Sequence, residues 1–190
     1  MRYVAGMKSR LALATIFLVA FGVGAGAEVD KFMRRCNGQL CPYFRLKFTP
    51  PNGWVQDEEA TRENNMPIYV PKGMDFGSAP ALIYIGVTYN RDKRPLEKFV
   101  EGELQSWLNE AKDSKIDKIA GEKRASGKAD FLIYRFLNPS RPQQAHELMA
   151  YGEDTDNDGN SFFLSIGLTA AERKAIDAAE ADYRAGLRAH

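Results

Sequence analysis

The sequence predicts an α+β fold in which an antiparallel sheet is sandwiched by helices, and three observations predict it. Residues 81–89 are apolar on both alternations, with Ile83, Ile85 and Val87 set against Leu82, Tyr84 and Gly86, so this strand needs cover on both faces. Directly after it, Leu96, Phe99, Val100, Leu104, Trp107, Leu108 and Ala111 recur at helical spacing behind Pro95, the pattern of a strongly amphipathic helix opened by a first-turn proline. Two hairpin patterns then lead into a second amphipathic segment. Strands grouped in this way, with helices before and after them, imply an antiparallel sheet under helical cover.

Taken in chain order, residues 43–49 alternate, placing Phe44, Leu46 and Phe48 on one face and Tyr43, Arg45 and Lys47 on the other, a strand with one wet side. Pro50, Pro51, Asn52 and Gly53 force a turn, and Trp54 and Val55 follow as a short strand or core plug. Residues 56–79 form a polar insertion rich in Asp, Glu, Asn, Pro and Gly, strand-like only at Ile68, Tyr69 and Val70. A stretch of this kind is either mobile or functional. The helix after residue 95 carries Glu97, Lys98, Glu101, Gln105 and Lys112 on its other side, which fits a helix lying on a sheet.

Residues 116–125 and 129–138 read as two strands joined at Ser126, Gly127 and Lys128, and residues 145–153 and 160–168 as a second hairpin across an acidic turn. Thr169 with Glu172 three positions later is a capping box, after which Ile176, Ala179, Tyr183 and Leu187 line one face of a C-terminal helix. Neither a repeat nor an interdomain linker interrupts residues 28–190, which read as a single domain.

The first 27 residues read as an export signal. Arg2, Lys8 and Arg10 precede a short apolar run over residues 11–23, and Ala25, Gly26 and Ala27 supply the small residues of a cleavage site. The run is shorter than the ~20 residues of a membrane span, so no stable membrane insertion is expected. Cleavage near Ala27 delivers the chain to a periplasmic or extracellular space. The remainder holds 23 Lys and Arg against 25 Asp and Glu, a balance that lacks the concentrated basic face nucleic acid requires and the polybasic patch of an anionic-lipid binder.

Cys36 and Cys41 are the two cysteines. In an oxidising compartment they are expected to form a disulfide stapling an N-terminal arm, residues 28–42, worth ~2 kcal/mol for so small a loop. Free thiols and a metal site are the alternatives; a zinc site would need further ligands from a chain whose histidines are His146 and His190.

The run Phe48, Thr49, Pro50, Pro51, Asn52, Gly53, Trp54, the strand over residues 81–89 that feeds the helix over residues 96–108, and the paired hairpins before a closing helix resemble the Mog1/PsbP-like family. The resemblance covers most of the chain after residue 27. It implies an antiparallel sheet flanked by helices and a binding role: extrinsic subunit of a membrane complex, adaptor for a small GTPase, or chaperone for secreted effectors. It carries over no functional residue, because no position-specific motif matches.

The sharpest chemical feature is the turn Asp154, Thr155, Asp156, Asn157, Asp158, Gly159. Oxygen ligands at alternate positions followed by glycine half-match a calcium loop, for which Asp154, Asp156 and Asp158 are the candidate ligands. Ser165 stands where the bidentate Glu belongs, so a further carboxylate such as Glu153 would be needed. The competing reading is a polar hairpin tip. Nucleophilic catalysis has only His146 to draw on and lacks a Gly-x-Ser-x-Gly elbow, so His146 reads as decorating a strand start. The segment Gly121–Lys128 has the wrong spacing for a phosphate loop. Lys115, Lys118, Lys123, Arg124 and Lys128 cluster on the first hairpin, either protecting an edge or facing an acidic partner. Trp107 belongs to the apolar stripe of its helix, whereas Trp54 is open to a ligand-platform reading.

These features predict an exported, non-catalytic module that binds another protein, as an accessory subunit, an adaptor or an immunity protein, through residues 56–79 and the 153–160 turn. The alternative is a calcium- or zinc-dependent hydrolase built on that acidic turn.

Overall fold

The structure, a computed structural model, describes residues 29–36 and 38–190, apart from the side chains of Arg34 and Cys36. The export signal read over residues 1–27 therefore lies outside the described residues.

Seven strands form one antiparallel sheet in the order β3-β4-β5-β9-β8-β7-β6. They are β3 (Trp54–Gln56), β4 (Ile68–Pro71), β5 (Leu82–Tyr89), β6 (Lys115–Glu122), β7 (Phe131–Leu137), β8 (His146–Thr155) and β9 (Ser161–Ala170). A separate hairpin joins β1 (Val29–Cys36) to β2 (Gln39–Leu46), and the helices are α1 (Glu58–Asn64), α2 (Leu96–Glu110) and α3 (Arg173–Ala189).

The alternation of β5 and of its neighbours builds two cores. Ile83, Ile85, Leu164, Ile166, Leu168, Leu148, Ile133 and Phe131 point to one face, where α3 supplies Ile176, Tyr183 and Leu187 and the hairpin supplies Val29 and Leu46. The buried Tyr183 hydroxyl donates to the Ile166 carbonyl at 2.6 Å, locking α3 to the central strand. On the other face Phe163, Tyr151, Met149 and Phe136 receive Leu96, Phe99 and Val100 of α2, and Ala60 of α1 packs with Ile68 and Val70. The predicted sheet covered by helices on both faces is the observed architecture.

Four details differ from the sequence reading. The first is β1, which pairs along its whole length with β2, so the segment read as a stapled arm contributes a strand to a hairpin. Apart from Val29 its described side chains are exposed, and pairing made through the backbone leaves no apolar period to read. Second, the strand predicted over residues 43–49 ends at Leu46, although Phe48 remains buried beyond it.

Third, residues 56–79 are woven into the fold. Asp57 caps α1 by accepting from the Ala60 amide at 3.0 Å, and β4 bridges β3 to β5. Fourth, the capping box does not form. Thr169 is buried in β9 opposite Glu147, and α3 starts only at Arg173 with no side-chain cap. The β8–β9 ladder runs on to Ala170 and claims the would-be cap.

Candidate functional site

The carboxylates of the acidic turn are not brought together. Asp154 is still on β8, where alternation turns its side chain into the protein beneath the β6–β7 loop. There Arg124 Nη2 lies 3.3 Å from Asp154 Oδ2, Lys128 Nζ contacts Oδ1, and His190 Nε2 stands 3.5 Å away. Arg124 also donates to the Glu153 carbonyl at 2.8 Å and lies over the Phe131 ring. This buried knot ties the β6–β7 loop and His190, the residue that follows α3, to the sheet.

Asp156 belongs to the tip itself, accepting from the amides of Asp158 and Asn160 at 2.9 Å each and from the Asn160 side chain. Those bonds hold its carboxyl below the usual aspartate range against a raising effect of burial. Gly159 adopts φ +78°, the left-handed turn conformation that the acidic run required. Asp158 is exposed. Among the described residues no group of three or more His, Cys, Asp or Glu converges as a metal site.

The basic cluster read on the β6–β7 hairpin is also divided. Arg124 and Lys128 turn inward to Asp154, while Lys115 lies at the opposite end of β6. His146 stands at the first position of β8. Both tryptophans are anchored in the packing. Trp107 donates to Asn138 at 3.0 Å against Phe136, and buried Trp54 donates to Asp182 of α3 at 3.3 Å. The Cys36–Cys41 disulfide depends on the Cys36 side chain, outside the described residues; the backbone register sets Cys36 opposite Gln39 and Cys41 opposite Arg34.

One titratable group escaped the sequence reading. Glu147 is buried on β8 on the α2 side and accepts the Tyr84 hydroxyl, while its second oxygen makes no hydrogen bond among the described residues. Desolvation pushes its pKa up to about 7, against the lowering effects of the Tyr84 bond and Arg141. A Glu directly ahead of the apolar run Leu148, Met149, Ala150, Tyr151, on the same alternation as Met149 and Tyr151, was the available signal.

The surface offers open ground elsewhere. A depression of about 390 Å³ lies between the β1–β2 hairpin and α1, lined by Phe32, Tyr43 and Phe44 on one wall and Arg62 and Met66 on the other. Elsewhere on the β1–β2 hairpin, outside that lining, Met33 and Leu40 are 55% and 65% exposed. A second depression, about 610 Å³, lies between residues 76–82 and the start of α3, with Phe76 on its lining. Both take lining residues from the 56–79 stretch. Among the described residues no helix is long and apolar enough to cross a membrane.

The molecule thus defines an antiparallel α+β sandwich with mixed polar and apolar surface recesses, in which the Asp154 and Asp156 carboxylates bond to neighbouring segments of the chain. No protein-family model matches the sequence, and none of the curated proteins is significantly similar to it. Among solved structures, the chain is similar to the crystal structure of the Saccharomyces cerevisiae Ran-binding protein Mog1p, with 13% identity and a TM-score of 0.41 over 82% of this chain and 84% of that one.

Proposed function

We propose that this protein is exported and works without catalysis, by binding another protein through the recess between the β1–β2 hairpin and α1. The observation that carries the reading is the exposure of Phe32 and Met66, two large apolar side chains that face each other across the lining of that recess. A soluble domain leaves such a patch uncovered where a partner completes it. Arg45, Arg62 and Glu58 rim the recess and would fix the orientation of the partner, as charged rims do. The 153–160 turn is a weaker contact candidate than the sequence suggested, because Asp154 and Asp156 are satisfied internally. Export and the Cys36–Cys41 disulfide belong to the same reading, an oxidising compartment favouring both.

The test is co-purification of the tagged full chain from the envelope of its own cells. Wild type is expected to retain a stoichiometric protein that Met66→Glu, verified as folded, loses, and the mature chain is expected to begin at Glu28. Identical recovery by the two would contradict the recess as the binding site, and an uncleaved, cell-interior chain would contradict export.

A further inference from the structure

At the end of the sheet remote from the acidic turn, cross-strand register gathers cationic side chains that the binding reading does not use. Lys115 of β6 pairs with Leu137 of β7, which pairs with His146 of β8; one row further in, Asp117 pairs with Arg135. All five positions share the face on which Ile119, Ile133 and Leu148 join the α3 core. Arg173, the first residue of α3, completes a cavity of about 160 Å³ lined by Lys115, Asp117, Arg135, His146 and Arg173.

The geometry points to a binding site for one phosphate group. Neighbouring positions on three strands and the start of a helix line a single small volume with donors, an arrangement suited to a tetrahedral oxyanion. Arginine forks and a lysine ammonium are the side chains that recognise phosphate oxygens, and a neutral imidazole still offers one N–H. The cations are only partly spent within the protein. Arg173 Nε bonds Asp177 at 2.7 Å, leaving the rest of its fork. Arg135 reaches Glu180 only at 3.5 Å, and its Nε is buried without a hydrogen bond among the described residues. A third of the Arg135 side chain is exposed, so its guanidinium is open to an incoming oxyanion. The positive end of the α3 dipole adds to the same field.

Asp117 is the one acidic side chain on the lining. A carboxylate in a donor-rich cavity accepts the hydrogen of hydrogen phosphate, which sulfate does not carry. The site therefore selects phosphate over sulfate.

Calorimetric titration of the full chain with sodium phosphate, at a pH where the hydrogen-phosphate dianion predominates and with sodium sulfate and chloride at matched ionic strength, tests this. One phosphate per chain is expected, with sulfate at least tenfold weaker. Lys115→Gln and His146→Ala, each confirmed folded by circular dichroism, should weaken phosphate roughly tenfold for a lost charge-assisted bond and less for the imidazole. Asp117→Asn should erase the preference over sulfate. A phosphomonoester and vesicles containing phosphatidic acid, titrated in parallel, separate the sources: binding of the ester alone assigns a soluble ligand, and binding of the vesicles assigns a lipid headgroup. No saturable binding of any phosphate form, or binding unmoved by Lys115→Gln and His146→Ala, would overturn the site. Equal affinity for sulfate would overturn the role of Asp117.

Discussion

Tyr84 of β5 donates its phenolic hydrogen to Glu147 of β8, crossing the strand that separates them. The crossing is made at Gly167 of β9, the residue that faces Tyr84 in the ladder. A Cβ built on Gly167 would lie 2.3 Å from the Tyr84 ring, so the bond exists because that position has no side chain.

Replacing Gly167 with alanine is therefore expected to push the ring aside and break its bond to Glu147. The cost should be about 1–3 kcal/mol, the range for overpacking a filled core. Urea denaturation of Gly167→Ala against wild type measures it, and an unchanged midpoint would show that the ring can shift freely.

Glu147 gives the protein a pH-dependent stability. Its folded pKa, about 7, exceeds that of an exposed glutamate, so between roughly pH 4.5 and 7 the native state binds more protons than the unfolded one. Its contribution is fully present below the unfolded pKa and is lost as pH rises through about 7. Glu147→Gln keeps an acceptor for Tyr84 and removes the charge. Its stability should match wild type near pH 5 and exceed it near pH 8 by up to about 3 kcal/mol, read from denaturation midpoints at the two pH values.

The Asp154 carboxylate is expected to matter for stability and not for metal. Asp154→Ala removes the carboxylate that faces Arg124, whose side chain is fully buried, and should cost about 3–5 kcal/mol. Asp158→Ala, at an exposed turn position, should stay within about 0.5 kcal/mol. Millimolar calcium should leave the thermal midpoint where it is, since a ligand bound only by the native state would raise it.

The contrast between these two carboxylates shows what was legible in the sequence. Strands with an apolar face, from Ile83 on β5 to Phe136 on β7, and the stripe of α2 announced the layers of the fold, because burial imposes a period on side chains. Asp154 and Asp156 looked like paired ligands because they are two residues apart, but they share a face only if the strand continues, and β8 ends at Thr155. Thr169 and Glu172 looked like a cap because their spacing fits one, and long-range pairing with β8 took Thr169 first. The hairpin strand β1 left no trace, its register being written in backbone groups that sequence does not distinguish. Residues 56–79 read as a contact surface in the sequence, but the recess that they form beside α1 did not. Its walls come from Phe32 and Met66, far apart in the chain.

The claim that this recess receives a protein is tested most directly by placing a photoreactive amino acid at Arg62, on its lining, or at Glu101, 65% exposed on α2, in the full chain in its own cells. A discrete protein adduct from position 62, absent from position 101 and suppressed by Met66→Glu, is the predicted result. Equal adducts from both positions, or none from position 62, would contradict the account.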